Sequence, residues 1–175
     1  MISAALLIVG ITGSEAGAQK VYWTGGYERT IHRADLSGAN VEELVAHRLN
    51  EPFGVALDPE NGKVYWTDME DGKIQRADLD GSNIEDLLVD ESRMPAGIAL
   101  DLTAKQMYWA DGGTRTIERA DLDGTNVEAL VATDLHIPQE IALDLAAGKM
   151  YWTDTWTGKI QRANLDGSDR EDLVL

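Results

Sequence analysis

Three aspartates, Asp68, Asp111 and Asp154, recur at a spacing of 43 residues, each behind an aromatic pair and a small residue: Tyr65-Trp66-Thr67, Tyr108-Trp109-Ala110 and Tyr151-Trp152-Thr153. Carboxylates at fixed positions can serve as acids, bases or metal ligands. A carboxylate that ends a buried strand must first satisfy its own hydrogen bonds, however. Gly25 takes its place in the earliest copy, after Tyr22-Trp23-Thr24. The structural role is therefore preferred. Asp78-Leu79-Asp80-Gly81-Ser82-Asn83 alternates oxygen side chains as a calcium loop does, but it lacks the full spacing and closing Glu of an EF-hand. Asp-Gly is also an ordinary hairpin turn. His32, His47 and His136 fall in different columns of the repeat and form no regular ligand set. The sequence has no Gly-x-Ser-x-Gly, His-Glu-x-x-His or phosphate loop. It has no cysteine, which removes thiolate chemistry and disulfides. No metal, no cofactor and no catalytic set is expected.

The elements that would position these residues follow from the repeat. Residues 21–63, 64–106 and 107–149 are three copies of one 43-residue unit, and 150–175 is a partial fourth. Nine columns are identical in all four copies: the Tyr and Trp, then Ile74, Arg76, Ala77, Leu79, Gly81, Glu85 and Leu87 in the second copy. Each unit reads as four short strands, 97–101, 105–111, 73–79 and 83–89 in representative copies, divided by Asp71-Gly72, Asp80-Gly81 and the stretch before Pro95. In Val64-Tyr65-Trp66-Thr67 bulky groups alternate onto both faces, which calls for a strand covered on both sides. Sheets stacked around an axis supply that cover, and 40–45 residues is the period of a four-stranded propeller blade. Capping boxes such as Ser82-Asn83-Ile84-Glu85 suggest helix instead, but over segments too short to hold one. Arg33, Arg76, Arg119 and Arg162 are expected to pair across strands with Glu42, Glu85, Glu128 and Glu171.

Fifteen basic against 31 acidic residues give a net charge of −16. Nucleic acid and anionic membranes are poor partners for such a surface, and a protein ligand with a basic patch suits it better. The apolar run from Ile2 to Ile11 is too short to span a membrane. Residues 1–20 read either as a strand over Leu6–Ile11 or as a signal segment ending near Ala16-Gly17-Ala18.

The Tyr-Trp-Thr-Asp motifs, with Ile-Gln-Arg-Ala-Asp-Leu-Asp-Gly and Gly-Ile-Ala-Leu-Asp, resemble the YWTD or class B repeats of the low-density lipoprotein receptor family over residues 21–175. The resemblance implies an all-β, six-bladed propeller acting as an extracellular, non-catalytic binding module. It also implies that the motif's Thr and Asp bond backbone groups of a neighbouring blade. Two departures stand out. About four blades fit here, so a partial propeller in an open arc is expected, one that takes further blades or a second chain to close. The cysteine-rich module that often neighbours such propellers is missing.

Function is sought where the copies differ. The loops after Tyr-Trp-Thr-Asp and the connections between blades should share one face. Its candidate binding residues are Tyr27, Arg48, Phe53, Glu70, Asp71, Arg93, Met94, Arg115, His136, Gln139, Glu140 and Trp156. Aromatics, Met and Arg are the usual anchors of protein interfaces. The rival is a lactonase-like hydrolase or streptogramin-type lyase working at the axis, with Glu140, His136 and Asp134 as its nearest candidates.

Overall fold

A computed structural model describes residues 7–10, as backbone, and residues 20–174. Strand follows strand in sixteen short segments, with no helix among the described residues and so none that could cross a membrane. The first antiparallel sheet holds β1 (Leu7–Gly10), β2 (Lys20–Gly25), β3 (Thr30–Asp35) and β4 (Glu42–Val45). The second holds β5 (Pro52–Asp58), β6 (Lys63–Asp68), β7 (Lys73–Asp78) and β8 (Glu85–Val89). The third holds β9 (Pro95–Asp101), β10 (Gln106–Asp111), β11 (Thr116–Asp121) and β12 (Glu128–Val131). The fourth holds β13 (Pro138–Asp144), β14 (Lys149–Asp154), β15 (Lys159–Asn164) and β16 (Glu171–Val174). Each sheet is a meander in chain order.

The sheets are out of phase with the repeat counted from Tyr-Trp. Their first strands open at Pro52, Pro95 and Pro138, where a residue without an N–H is tolerated. Leu7–Gly10 pairs with β2 in the matching place, while the Ala16-Gly17-Ala18 segment lies outside the described residues. The fourth strand starts two residues later than the alternation suggests. Asn83, with φ of 54°, still belongs to the turn.

Successive sheets pack face to face, with β5 against β9 and β9 against β13, so these first strands crowd the axis. Among the described residues no comparable packing joins the fourth sheet to the first. The arrangement is a partial, open propeller of four blades. Each interface sets the Tyr face of one blade against the Trp face of the next. Tyr22, Ile31 and Val45 meet Val55, Val64 and Trp66 in one cluster. Tyr65 and Ile74 meet Ile98, Met107 and Trp109 in another. In the first two blades the threonine after Tyr-Trp stitches blade to blade: Thr24 Oγ1 donates to Phe53 O at 2.7 Å and Thr67 Oγ1 to Ala96 O at 2.6 Å. Gly54 and Gly97 lie where inner strands nearly touch. A Cβ there would stand 2.6 Å from Ala96 O and 2.7 Å from Gln139 O, respectively.

The end blades show what an interface covers. Tyr22, Tyr65 and Tyr108 are buried, but Tyr151 is only half-buried. Trp66, Trp109 and Trp152 are buried, but Trp23 is only half-buried and stacks on His32.

Candidate functional site

The motif aspartates are fully enclosed and act on the backbone. Asp68 accepts the N–H groups of Asn50 and Glu51 at 2.7 and 2.8 Å. Asp111 accepts those of Met94, Gly113 and Thr114. Asp154 accepts those of His136, Ile137 and Thr157. Burial would raise the Asp154 pKa, but these donors favour the carboxylate and hold it below the usual aspartate value. The donors lie in the connection entering the blade and in its own second turn. Thr24 and Thr67 of the motif bond the neighbouring blade, as the resemblance implies, but the Asp anchors loops of its own blade.

This anchoring joins the two loop sets into one surface. Main-chain bonds complete the seam: Met69 N to Glu51 O, Gly112 N to Met94 O and Thr155 N to Ile137 O, at 3.0, 3.1 and 3.0 Å. On that surface Tyr27 is 75% and Trp156 is 72% exposed. Arg48, Glu70, Met94, Arg115 and His136 are exposed as well. Tyr27 and Glu70 share a cleft of about 230 Å³ with Arg29 and Asn50. Arg48 and Asp71 line a second cavity of about 560 Å³. The Asn50 amide, with Lys73 assisting against partial burial, holds the Asp71 carboxyl below its usual pKa.

Other candidates sit elsewhere. Arg93 turns inward to the buried Glu118 and also contacts Asp90 at 3.2 Å. Phe53, Gln139 and Glu140 are half-buried in first strands. Of the rival axial set, Glu140 lines an apolar groove of about 660 Å³ with Ile98, Ala99, Tyr151 and Ile160. Asp134 is exposed and pairs with Arg170 at 3.1 Å, and His136 is exposed on the connection.

Arg29 is a surface residue that motif reading passes over. It shares a column with Gly72, Arg115 and Gly158, and all four have positive φ, at 57°, 59°, 59° and 71°. Arg48, at φ of 70°, joins them from the connection. Left-handed backbone suits glycine and strains other residues. An arginine in a glycine column is the signal that could have found Arg29.

Burial raises the pKa of Glu140, whose ionised form loses water in the groove without a compensating charge. An acid raised on folding loses stability when ionised. The penalty is fully present above the folded pKa and absent below the unfolded one. Glu140→Gln is therefore expected to raise the thermal midpoint at neutral pH and to leave it unchanged in acid. Thermal melts across the carboxylate range check this.

Comparison with known proteins agrees with this geometry. The model of low-density lipoprotein receptor repeat class B matches residues 19–59, 62–102, 105–145 and 148–175. The chain belongs to this family. A chain of a nidogen/laminin complex superposes with a TM-score of 0.81 at 30% identity, covering 89% of this chain and 60% of that one. Virginiamycin B lyase from Staphylococcus aureus superposes at 0.75 with 19% identity, over 95% of this chain and 54% of the lyase. Kuenenia stuttgartiensis hydrazine synthase does so at 0.71 with 13% identity, over 89% and 46%. The last two share the fold alone. No curated protein sequence matches.

Proposed function

We propose that the chain is a non-enzymatic protein-binding module that works outside the cell and binds through its loop face. Family membership and the nidogen/laminin neighbour support a protein partner. The observation that carries the proposal is a pairing on one surface. Two large aromatics, Tyr27 and Trp156, stand mostly in solvent in the same loop set that carries Arg29 and Arg115, and these arginines, like Arg48 in the adjoining connection, hold positive φ. Exposed aromatics and strained backbone both concentrate at binding sites. The exposed charges of these loops are of both signs, with Arg29, Arg48 and Arg115 among Glu28, Glu70, Glu91 and Asp134.

The test is surface plasmon resonance against purified extracellular matrix proteins, with laminin as the first probe. The Tyr27→Ala/Trp156→Ala double variant should bind at least about tenfold more weakly, since each tenfold is about 1.4 kcal/mol and such anchors reach 2 or more. Its thermal midpoint should match the parent. Failure to bind any of the probes, or unchanged affinity in the double variant, would overturn the proposal.

A further inference from the structure

The arginines of the third strands are committed. Arg33 Nη1 donates to Leu79 O at 2.7 Å, Arg76 to Leu122 O at 3.1 Å and Arg119 to Leu165 O at 3.3 Å, always 46 residues on, and each also pairs with its own glutamate. Arg48, on the connection into the second blade, is not. Its guanidinium meets no carboxylate and no carbonyl among the described residues, in a chain with 31 acidic residues against 15 basic. It lines the cavity of about 560 Å³ together with Asn50, Asp71, Lys73, Ile84 and Asp86. The two acids there already have donors. Asp71 accepts from Asn50 Nδ2 at 2.9 Å and Lys73 Nζ at 3.1 Å, and Asp86 from Gln75 Nε2 at 2.5 Å. The unmatched group is the cation.

The repeat shows what such a cation takes. Two blades on, the columns of Arg48 and Ile84 hold Asp134 and Arg170, which pair at 3.1 Å while Arg170 also donates to Thr133 O. The backbone has the same hand at both places, with φ of 70° at Arg48 and 54° at Asp134. In the blade between, Arg93 stands in the column of Asn50 and turns in onto Glu118. In both later blades, then, a carboxylate of the chain neutralises the cation at this seam. In the second blade the mate's place is taken by Ile84, uncharged and 38% exposed.

We infer that this cavity receives a single carboxylate from a protein partner, an aspartate or glutamate side chain with an apolar neighbour. The carboxylate pairs with Arg48, and the apolar neighbour lies on Ile84. Asp71 and Asp86 in the same wall, with a net charge of −16 behind them, repel groups of higher charge such as phosphate or a sulfated glycan. The overall charge favours a basic partner, and this one contact asks for an acid, so it selects among partners more than it attracts them. The inference rests on the loop face being the binding surface and names the chemistry of one contact on it.

The test is an NMR titration of the isotope-labelled chain with two peptides, acetyl-Leu-Asp-Leu-amide and acetyl-Leu-Asn-Leu-amide, read at the arginine side-chain Nε–Hε signals. The aspartate peptide should move the Arg48 signal saturably. The asparagine peptide should bind at least about tenfold more weakly, the factor that a hydrogen bond to a charged partner supplies. Arg48→Gln should abolish the discrimination. Ile84→Glu should do the same by supplying the mate from within, and it should keep the parent's thermal midpoint, which shows that it is folded. No response to the aspartate peptide, equal response to both, or a preference that survives both variants would overturn the inference. So would a heparin tetrasaccharide that binds at Arg48 more tightly than the aspartate peptide. Laminin binding that depends on the two aromatics, with no discrimination between the peptides, sinks this inference alone. Discrimination without binding to any matrix protein sinks the loop-face reading alone.

Discussion

Trp66→Ala is expected to destabilise the chain by about 3–5 kcal/mol, and Trp23→Ala by clearly less. Trp66 has no exposed surface and fills the cluster between the first two blades. Its Nε1 donates to Gln75 Oε1 at 3.0 Å, and Gln75 passes the chain on to Asp86 at 2.5 Å. Truncation opens a cavity the size of an indole and strands the Gln75 carbonyl. Trp23 holds the same column but lacks a preceding Tyr face, so part of it already meets solvent. At about 2–4 °C per kcal/mol for a chain of this size, the Trp66 variant should melt roughly 6–20 °C lower. Calorimetry on the two variants side by side is the measurement. Equal losses would mean that the first blade is covered as the inner ones are.

Asp154→Asn should remove about 1–3 kcal/mol and flatten the acid limb of the stability profile. The carboxylate gathers three backbone donors from two loops. An amide keeps one acceptor oxygen and turns an NH2 toward the His136 N–H, donor against donor. The sign of the pH effect follows from the lowered pKa of Asp154. Its contribution is fully present above the unfolded aspartate pKa and lost as pH falls through the lower folded value. Parent and variant should therefore differ most at neutral pH and converge in acid. Urea titrations at a series of pH values check it, and a constant gap down to strong acid would contradict the assigned role.

Much of the architecture is legible in the residues. Alternating bulk in Val64-Tyr65-Trp66-Thr67 already calls for a strand buried on both faces, and it is. The Arg76–Glu85 column pairs across the hairpin at 2.8 Å, as opposite positions in adjacent strands should. What stays hidden has a common cause. The second partner of Arg76 is the Leu122 carbonyl, and a main-chain oxygen leaves no trace in residue type. The inward turn of Arg93 depends on position 118, where Glu118 replaces the Gln75 and Gln161 of the flanking blades. A single swap in a core column redirects a loop side chain, and loop composition cannot report it. Exposure at Tyr27 and Trp156 was open to inference because both stand in the variable turn after Tyr-Trp, in a column that holds Glu70 and Gly113 in the other copies. Arg29 was legible only through its column, where Gly72 and Gly158 mark a left-handed backbone that residue type at Arg29 itself does not report.

The constant 46-residue reach from arginine to leucine carbonyl has a consequence for how the chain comes apart. Among the described residues the main packing joins each blade to its immediate neighbour, so cooperativity passes chiefly from one sheet to the next. The two inner sheets are clamped on both sides, and each outer sheet on one. Opening should therefore start at the periphery, at β16 with its four exposed residues, and travel inward. The slowest-exchanging amides then belong to β6 and β10, the strands that carry the two most enclosed tryptophans.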